Sequence, residues 1–316
     1  MAQFFQKSID QRLFNSTRSS LDAERLRFKQ NQISGVFEIQ AGPEELEVLV
    51  LGDGEETGAY RLHPDSRLKI TPTEIGAGWE GREVPVRSVA LPDHASRAIW
   101  QALEYQISAR AEVQGLAGWK SFLDRCYSDR TTGMVGVTSE LCDGFVFLHE
   151  GLPASGESIF CSAEGFTNSM QAVEVCLDGL DRLTLYQADP ATQAYKCTLL
   201  RLGVVGWGKR ILANYKDMVG QKLLHILNAS LNSMLMHQRS NIYLADIEII
   251  DNHFFRECKE AAEVYKSLFL DMSQLIGRVI GGMVTRRIMS TTFERLALSQ
   301  QEVLTTNTLA PSAFLR

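Results

Sequence analysis

His149-Glu150 sets a base beside an acid at the end of an apolar run, the kind of pair that general acid–base chemistry uses. Catalysis needs further groups converging on one point, and nothing at recognised spacing joins these two, so the pair reads as a solvated turn. His225, His237 and His253 show neither the H-x-x-x-H nor the H-E-x-x-H spacing that puts two imidazoles on one helical face. Asp246 and Asp251 flank "IEII" and could mark a cation site; the plainer reading is a turn, with Asp251-Asn252 capping the next helix. "LGDGEETG" lacks the lysine and the glycine spacing of a phosphate loop, and "LGVVGWG" has no strand-to-helix context behind its glycines. No nucleophile, base and orienting group occur together, so the chain reads as a non-enzymatic protein with no catalytic, metal-binding or cofactor-binding residues.

One glycine-rich stretch, "LIGRVIGGMV", asks a different question. Gly277, Gly281 and Gly282 interrupt a helical pattern, each costing about 1 kcal/mol relative to alanine. Gly277 and Gly281 are four apart and make a flat helix face. It suits either close packing on the preceding helix or a hinge and partner-docking groove. The candidate interaction residues are Gly277, Gly281, Met283, Arg286 and Arg287, with Leu268 and Met272 from the same periodic stripe.

The elements that would position these residues are read from composition and period. Hydrophobic residues make up 45% of the 316 and charged residues 22%, which suits a chain with buried cores. A net charge of -6 argues against nucleic acid as the main partner, because phosphate needs a basic surface. The six cysteines are scattered without C-x-x-C pairs, several inside apolar runs, as expected of reduced core residues in a cytoplasmic protein. No window has the ~18 consecutive apolar residues of a transmembrane segment, and the start does not resemble a secretory signal.

Residues 1–30 are expected to be helical, broken at "NSTRSS". A first α+β module is expected over 31–112. It holds strands at Val36–Ile39 and Leu46–Leu51, an edge strand around Pro85 and a helix after Pro92-Asp93. A boundary is expected near 108–118, and a second module over 113–198. That module has strands at 133–137, 144–149 and near 157–161, a helix at 164–178 and a strand at "DRLTLYQA". Two long helices, about 200–237 and 254–298, form a helical assembly region over 199–298, and 299–316 are expected to be a flexible tail. A helix of over forty residues (~60 Å) outreaches a small domain, so its stripe is covered either within the chain or in a dimer.

The two hairpins can be overlaid. Ser34-Gly35-Val36-Phe37-Glu38-Ile39 falls on Thr132-Gly133-Met134-Val135-Gly136-Val137, and Val48, Val50, Leu51 and Gly54 fall on Phe145, Phe147, Leu148 and Gly151. The stretches after the two hairpins differ, which leaves duplication an open question. Thr132-Gly133, Phe145-Val146-Phe147 and Glu150-Gly151 with the segment after them resemble the PatA amino-terminal (PATAN) type of regulatory domain, over about 119–188, with a second degenerate copy at 33–107. The resemblance implies a bacterial signalling role through protein binding without chemistry. No receiver-like strand–helix alternation with a phosphoacceptor comes after it, so no phosphorelay is implied.

The fold class expected is α+β: two small mixed modules with β-hairpins in tandem, and then a long-helix carboxy-terminal region. The function expected is a cytoplasmic regulatory or scaffold protein that binds protein partners and forms a homo-oligomer, a dimer, through its helices. The alternative is a small-molecule or nucleotide sensor that transmits binding through the helical region.

Overall fold

A computed structural model describes residues 4–8, 10–64, 66–79, 81–169, 177 and 180–314. The chain is α+β, and it divides into two units, Met1–Asp189 and Pro190–Arg316. No helix among the described residues is long and apolar enough to cross a membrane.

The first unit contains one topology built twice. Its first copy runs β1 (Gln11–Ser16), α1 (Arg18–Gln30), β2 (Gly35–Gln40), β3 (Leu46–Gly52), β4 (Glu55–Leu62), β5 (Arg67–Ile70) and β6 (Val84–Ala90). Its second runs β7 (Gln106–Gln114), α3 (Gly115–Ser128), β8 (Gly133–Thr138), β9 (Cys142–His149), β10 (Leu152–Ser162), β11 (Gly165–Thr167) and β12 (Leu180–Gln187), with α2 (Asp93–Glu104) between the copies. The six-stranded sheets have the orders β1-β6-β2-β3-β4-β5 and β7-β12-β8-β9-β10-β11, so the last strand of each copy inserts between its first two. Every pairing is antiparallel.

The residue overlay holds in three dimensions. Gly35 pairs with Leu51 and Gly133 with Leu148; Glu38 pairs with Val48 and Gly136 with Phe145. The Ser/Thr-Gly dipeptide that opens β2 and β8 does the same work in both. Ser34 Oγ accepts the Asp53 N–H at 2.7 Å, and Thr132 Oγ1 accepts the Glu150 N–H at 3.0 Å. The Ser34 carbonyl accepts the Leu91 N–H at 2.9 Å and the Thr132 carbonyl accepts the Ala188 N–H at 3.0 Å. Asp53-Gly54 and Glu150-Gly151 all have positive φ, from 51° to 82°, the conformation that closes a two-residue hairpin. A Cβ on Gly35 would lie 2.2 Å from the Val89 carbonyl oxygen, and one on Gly133 would lie 2.2 Å from that of Tyr186.

Both faces of each sheet are covered. On one face of the first sheet α1 packs Leu21 and Phe28 onto Phe37, Ile39, Leu49 and Val86. On one face of the second, α3 packs Trp119, Phe122 and Cys126 onto Val135, Val137, Val146 and Leu183. Helix α2 packs against β2, β3 and β4 of the first sheet and against β8 and β10 of the second. All residues from Ala95 to Leu103 are therefore buried, whichever way they point.

Several expectations change. Residues 11–16 form an edge strand rather than a helix, and "NSTRSS" starts α1 through a capping box between Thr17 and Ser20. Strand β6 is interior, with Pro85 opposite Asn15 near its start, where a missing N–H is tolerated. The expected boundary at 108–118 falls instead on β7, an exposed edge strand whose small polar residues mimic a linker, and on the first turn of α3. The helix expected at 164–178 lies mostly outside the described residues, and Gly165–Thr167 is a strand. Cys142 is held in a disulfide, contrary to the expectation of six reduced thiols, while Cys126, Cys161 and Cys258 are free thiols.

The second unit comprises α4 (Gln193–Val219), α5 (Gln221–His237), a hairpin of β13 (Ile242–Ala245) and β14 (Glu248–Asp251), α6 (Cys258–Ile280), α7 (Gly282–Glu294) and α8 (Leu298–Thr306). Each expected long helix is broken at a glycine, at Gly220 with φ 81° and at Gly281 with φ 85°. The apolar stripes then fold onto one another in a single core around Trp207. That indole stacks on Phe269 at 4.4 Å and donates to the Met289 carbonyl at 3.2 Å. The expected flexible tail is instead α8 and a short turn, with Leu304, Leu309 and Phe314 in this core.

Gly133→Ala and Gly35→Ala should each cost about 2–3 kcal/mol of unfolding free energy in urea denaturation, since a strand carbonyl would have to move. Gly78→Ala, with nothing among the described residues within 4 Å of the added Cβ, is expected to stay within about 0.5 kcal/mol of wild type.

Candidate functional site

Three buried charged side chains of the first unit, Glu38, Arg87 and Asp143, lie between its two sheets. Strand β2 carries Glu38 and the neighbouring β6 carries Arg87, directly opposite in the ladder. The face they occupy is closed over by the second copy, so both side chains are buried, and Arg87 Nη1 reaches Glu38 Oε2 at 3.0 Å. Such a pair is tolerated only when its remaining donors and acceptors are used. They are used on a short segment of main chain, Phe4–Ser8, which crosses the gap before β1. Glu38 Oε1 accepts the Phe4 N–H at 2.7 Å. Arg87 donates to the Phe4 carbonyl at 2.9 Å, to the Phe5 carbonyl at 2.8 Å and to Gln11 Oε1 at 2.7 Å.

The second copy grips the same segment from β9, where Asp143 Oδ2 accepts the Gln6 N–H at 2.8 Å. The aromatic side chains of the segment fill the gap. Phe5 stands edge-on to Phe145 and Phe166 at 5.6 and 5.3 Å, and Phe4 lies 6.2 Å from Phe145. Phe5 holds φ 50°, an uncommon conformation for a bulky residue.

Burial sets the electrostatics. Desolvation raises the Glu38 pKa, with Arg87 and the Phe4 N–H pulling the other way. Desolvation also raises Asp143, opposed by the Gln6 N–H and by Lys7. Cys161 on β10 is pushed up to about 11, first by burial and then by the charge of Asp143, which makes it a poor nucleophile. Beside the clamp an open groove of about 480 Å³ runs along Leu13, Asn15, Gln40, Leu46 and Pro85 and reaches Glu38 and Arg87.

Two further arginines tie the copies together. Arg97 on α2 meets Glu157 on β10 at 3.5 Å, both buried. Arg67 on β5 donates to the Ala102, Leu103 and Tyr105 carbonyls at the end of α2, where a cation suits the helix dipole, and lies 5.5 Å from the Tyr186 ring. No protein-family model, no curated protein and no solved structure matches this chain. The chemistry must be read from the residues themselves: this cluster is hydrogen-bonded to backbone amides and carbonyls, and the open groove reaches its Glu38 and Arg87. Among the described residues no three His, Cys, Asp or Glu side chains gather as a metal site would.

The residues singled out from the sequence fall elsewhere. Leu268 and Met272 are 2% and 0% exposed and belong to the core of the helical unit, so they cannot present a partner face. Gly281 ends α6 and begins α7, and its carbonyl accepts the Thr285 hydroxyl at 3.0 Å. A Cβ on Gly277 would meet Thr285 Oγ1 at an ordinary 3.7 Å, so close packing does not require glycine there. Met283 is 86% exposed, with Arg286 and Arg287 also on the surface.

His149-Glu150 is a hairpin corner. Asp246 sits in the β13–β14 turn and pairs with Lys216 at 3.0 Å. Asp251 does not cap α6, whose N-cap is Glu257. It forms a buried pair with Arg201 at 3.1 Å and accepts the Tyr265 hydroxyl. The clamp residues Glu38, Arg87 and Asp143 escape a reading of the sequence because a charge alternating with apolar residues looks like the wet face of a strand. The signal available was that both faces of β2 and β9 were apolar enough to be covered.

Arg87→Met leaves Glu38 buried without its partner and should cost about 3–5 kcal/mol in urea denaturation. Adding Glu38→Gln should recover more than about 1 kcal/mol of that loss, and strict additivity would contradict the pairing. His94, at the start of α2 with no hydrogen-bond partner for its Nδ1 among the described residues, is held down to about 4 by burial and then by Arg97. Its neutral form is the one the fold accepts. Its contribution is therefore complete above the unfolded value of about 6.5 and is lost as pH falls towards 4, by about 3 kcal/mol at most. Unfolding titrations at pH 7 and 4.5 should show His94→Gln losing less stability on acidification than wild type does.

Proposed function

We infer that the chain is a regulatory or scaffold protein that acts by holding other proteins. The observation that carries this reading is the Glu38–Arg87–Asp143 cluster, whose polar atoms are directed at the main chain of a short segment that turns between Phe5 and Ser8. Main-chain recognition flanked by aromatic contacts is how sheet-bearing modules take up peptides. The resemblance of Thr132–Gly151 and its surroundings to the PATAN type of domain supports the same role, and the doubled topology offers two related modules in one unit. Self-association, in this reading, uses the exposed elbow around Met283 and Arg287, because the stripe with Leu268 and Met272 is already covered. The free, buried thiols of Cys126 and Cys161 favour a reducing compartment such as the cytoplasm, against which the Cys142 disulfide speaks.

The second reading, a small-molecule sensor, draws on the open groove of about 480 Å³ beside Glu38 and Arg87, a volume within the range of ligand pockets. Gentle capture of the full chain from native extract, then native mass spectrometry, separates the two. The first reading expects a protein partner at fixed stoichiometry that captures this chain in the reciprocal experiment. A chain that emerges with no protein but with a stoichiometric small molecule would decide for the sensor.

A further inference from the structure

We propose that the gap between the two sheets is a peptide-binding groove, and that Phe4–Ser8, which turns between Phe5 and Ser8, is its intramolecular occupant, displaced by a partner segment that takes the same turned conformation and carries two adjacent aromatic residues. The inference deepens the protein-binding reading and rests on it.

Four observations support it. The segment is held through its backbone by Glu38, Arg87 and Asp143, so another sequence in the same conformation could make the same bonds. Its ring contacts are those of Phe4 and Phe5 against Phe145 and Phe166, which sets the apolar chemistry required of a replacement. The strand topology does not require the Glu38–Arg87 pair. In the second copy the same two ladder positions hold Gly136 and Thr184. Finally, the φ of 50° at Phe5 is the kind of backbone outlier that surrounding contacts must hold in place, as ligand clamps and switches do. The groove that continues past the segment along β1 and β6 gives an incoming chain a place to begin.

The test uses the full chain with a protease site inserted after Asp10, cleaved once the protein has folded. The probe is a synthetic peptide of residues 1–10 labelled at its carboxyl end, with binding read by fluorescence anisotropy. The cleaved chain should release its own segment on gel filtration and bind the peptide saturably. The uncleaved chain should bind at least tenfold more weakly, and so should a peptide with F4S and F5S on the cleaved chain. As a second variant, an uncleaved chain carrying F4S and F5S should take up the wild-type peptide. Equal binding by cleaved and uncleaved chains, or by both peptides, would overturn the proposal. So would unfolding of both variants by circular dichroism, which would make the segment a core element rather than a ligand. Dimerisation of the cleaved chain without peptide uptake would give the groove to a second copy and overturn it as well. Failure here leaves partner capture by the intact chain untouched, so the two readings fail separately.

Discussion

A carboxylate and a guanidinium facing each other across two strands, both buried, are the constraint around which the first unit is arranged. Glu38 and Arg87 sit where the alternation of β2 and β6 turns them into a gap closed by the second sheet. Their mutual attraction alone does not offset the cost of removing both from water. The remaining donors and acceptors need partners of fixed geometry, and backbone amides and carbonyls meet that need best. The segment Phe4–Ser8 therefore takes its position from the charges, and its two phenylalanines supply the apolar filling that keeps water out. Asp143 extends the arrangement to the second copy, so that one short stretch of chain is read from both sheets.

The doubled topology explains how such a gap exists. Two sheets of the same order, each with its own helix on the outer face, leave their other faces to be covered by whatever lies between. Helix α2 fills much of that space, which is why its residues are buried from Ala95 to Leu103. The amino-terminal segment fills another part. Only the first copy carries the charged pair, so the two modules share a scaffold and differ in what their inward faces can hold.

Much of this was legible in the sequence where the physics is local. The Ser/Thr-Gly openings and the Asp53-Gly54 and Glu150-Gly151 turns betrayed the matching hairpins, because a hydroxyl acceptor, a missing Cβ and positive φ each demand particular residues. The period over 200–237 and the stripe through Leu268 and Met272 correctly announced helices. Their covering was not legible, because a stripe does not say whether its partner is in the same chain. Gly220 and Gly281 break the helices and let the stripes fold back, which turned an expected assembly face into a core. Glu38, Arg87 and Asp143 were illegible for a related reason: one charged residue in an alternating strand looks solvated until a second sheet closes over it. The edge strands β1 and β7 were misread because exposure removes the apolar alternation that marks a strand.

The central claim is that three buried charges hold the backbone of residues 4–6 in the wild-type chain at rest. Amide hydrogen exchange resolved to single residues by nuclear magnetic resonance tests it directly. The account predicts that the Phe4 and Gln6 amides, donated to Glu38 and Asp143, exchange at least a hundredfold more slowly than in an unstructured peptide of the same sequence. Exchange of both at the unstructured rate, with the sheets themselves protected, would contradict it.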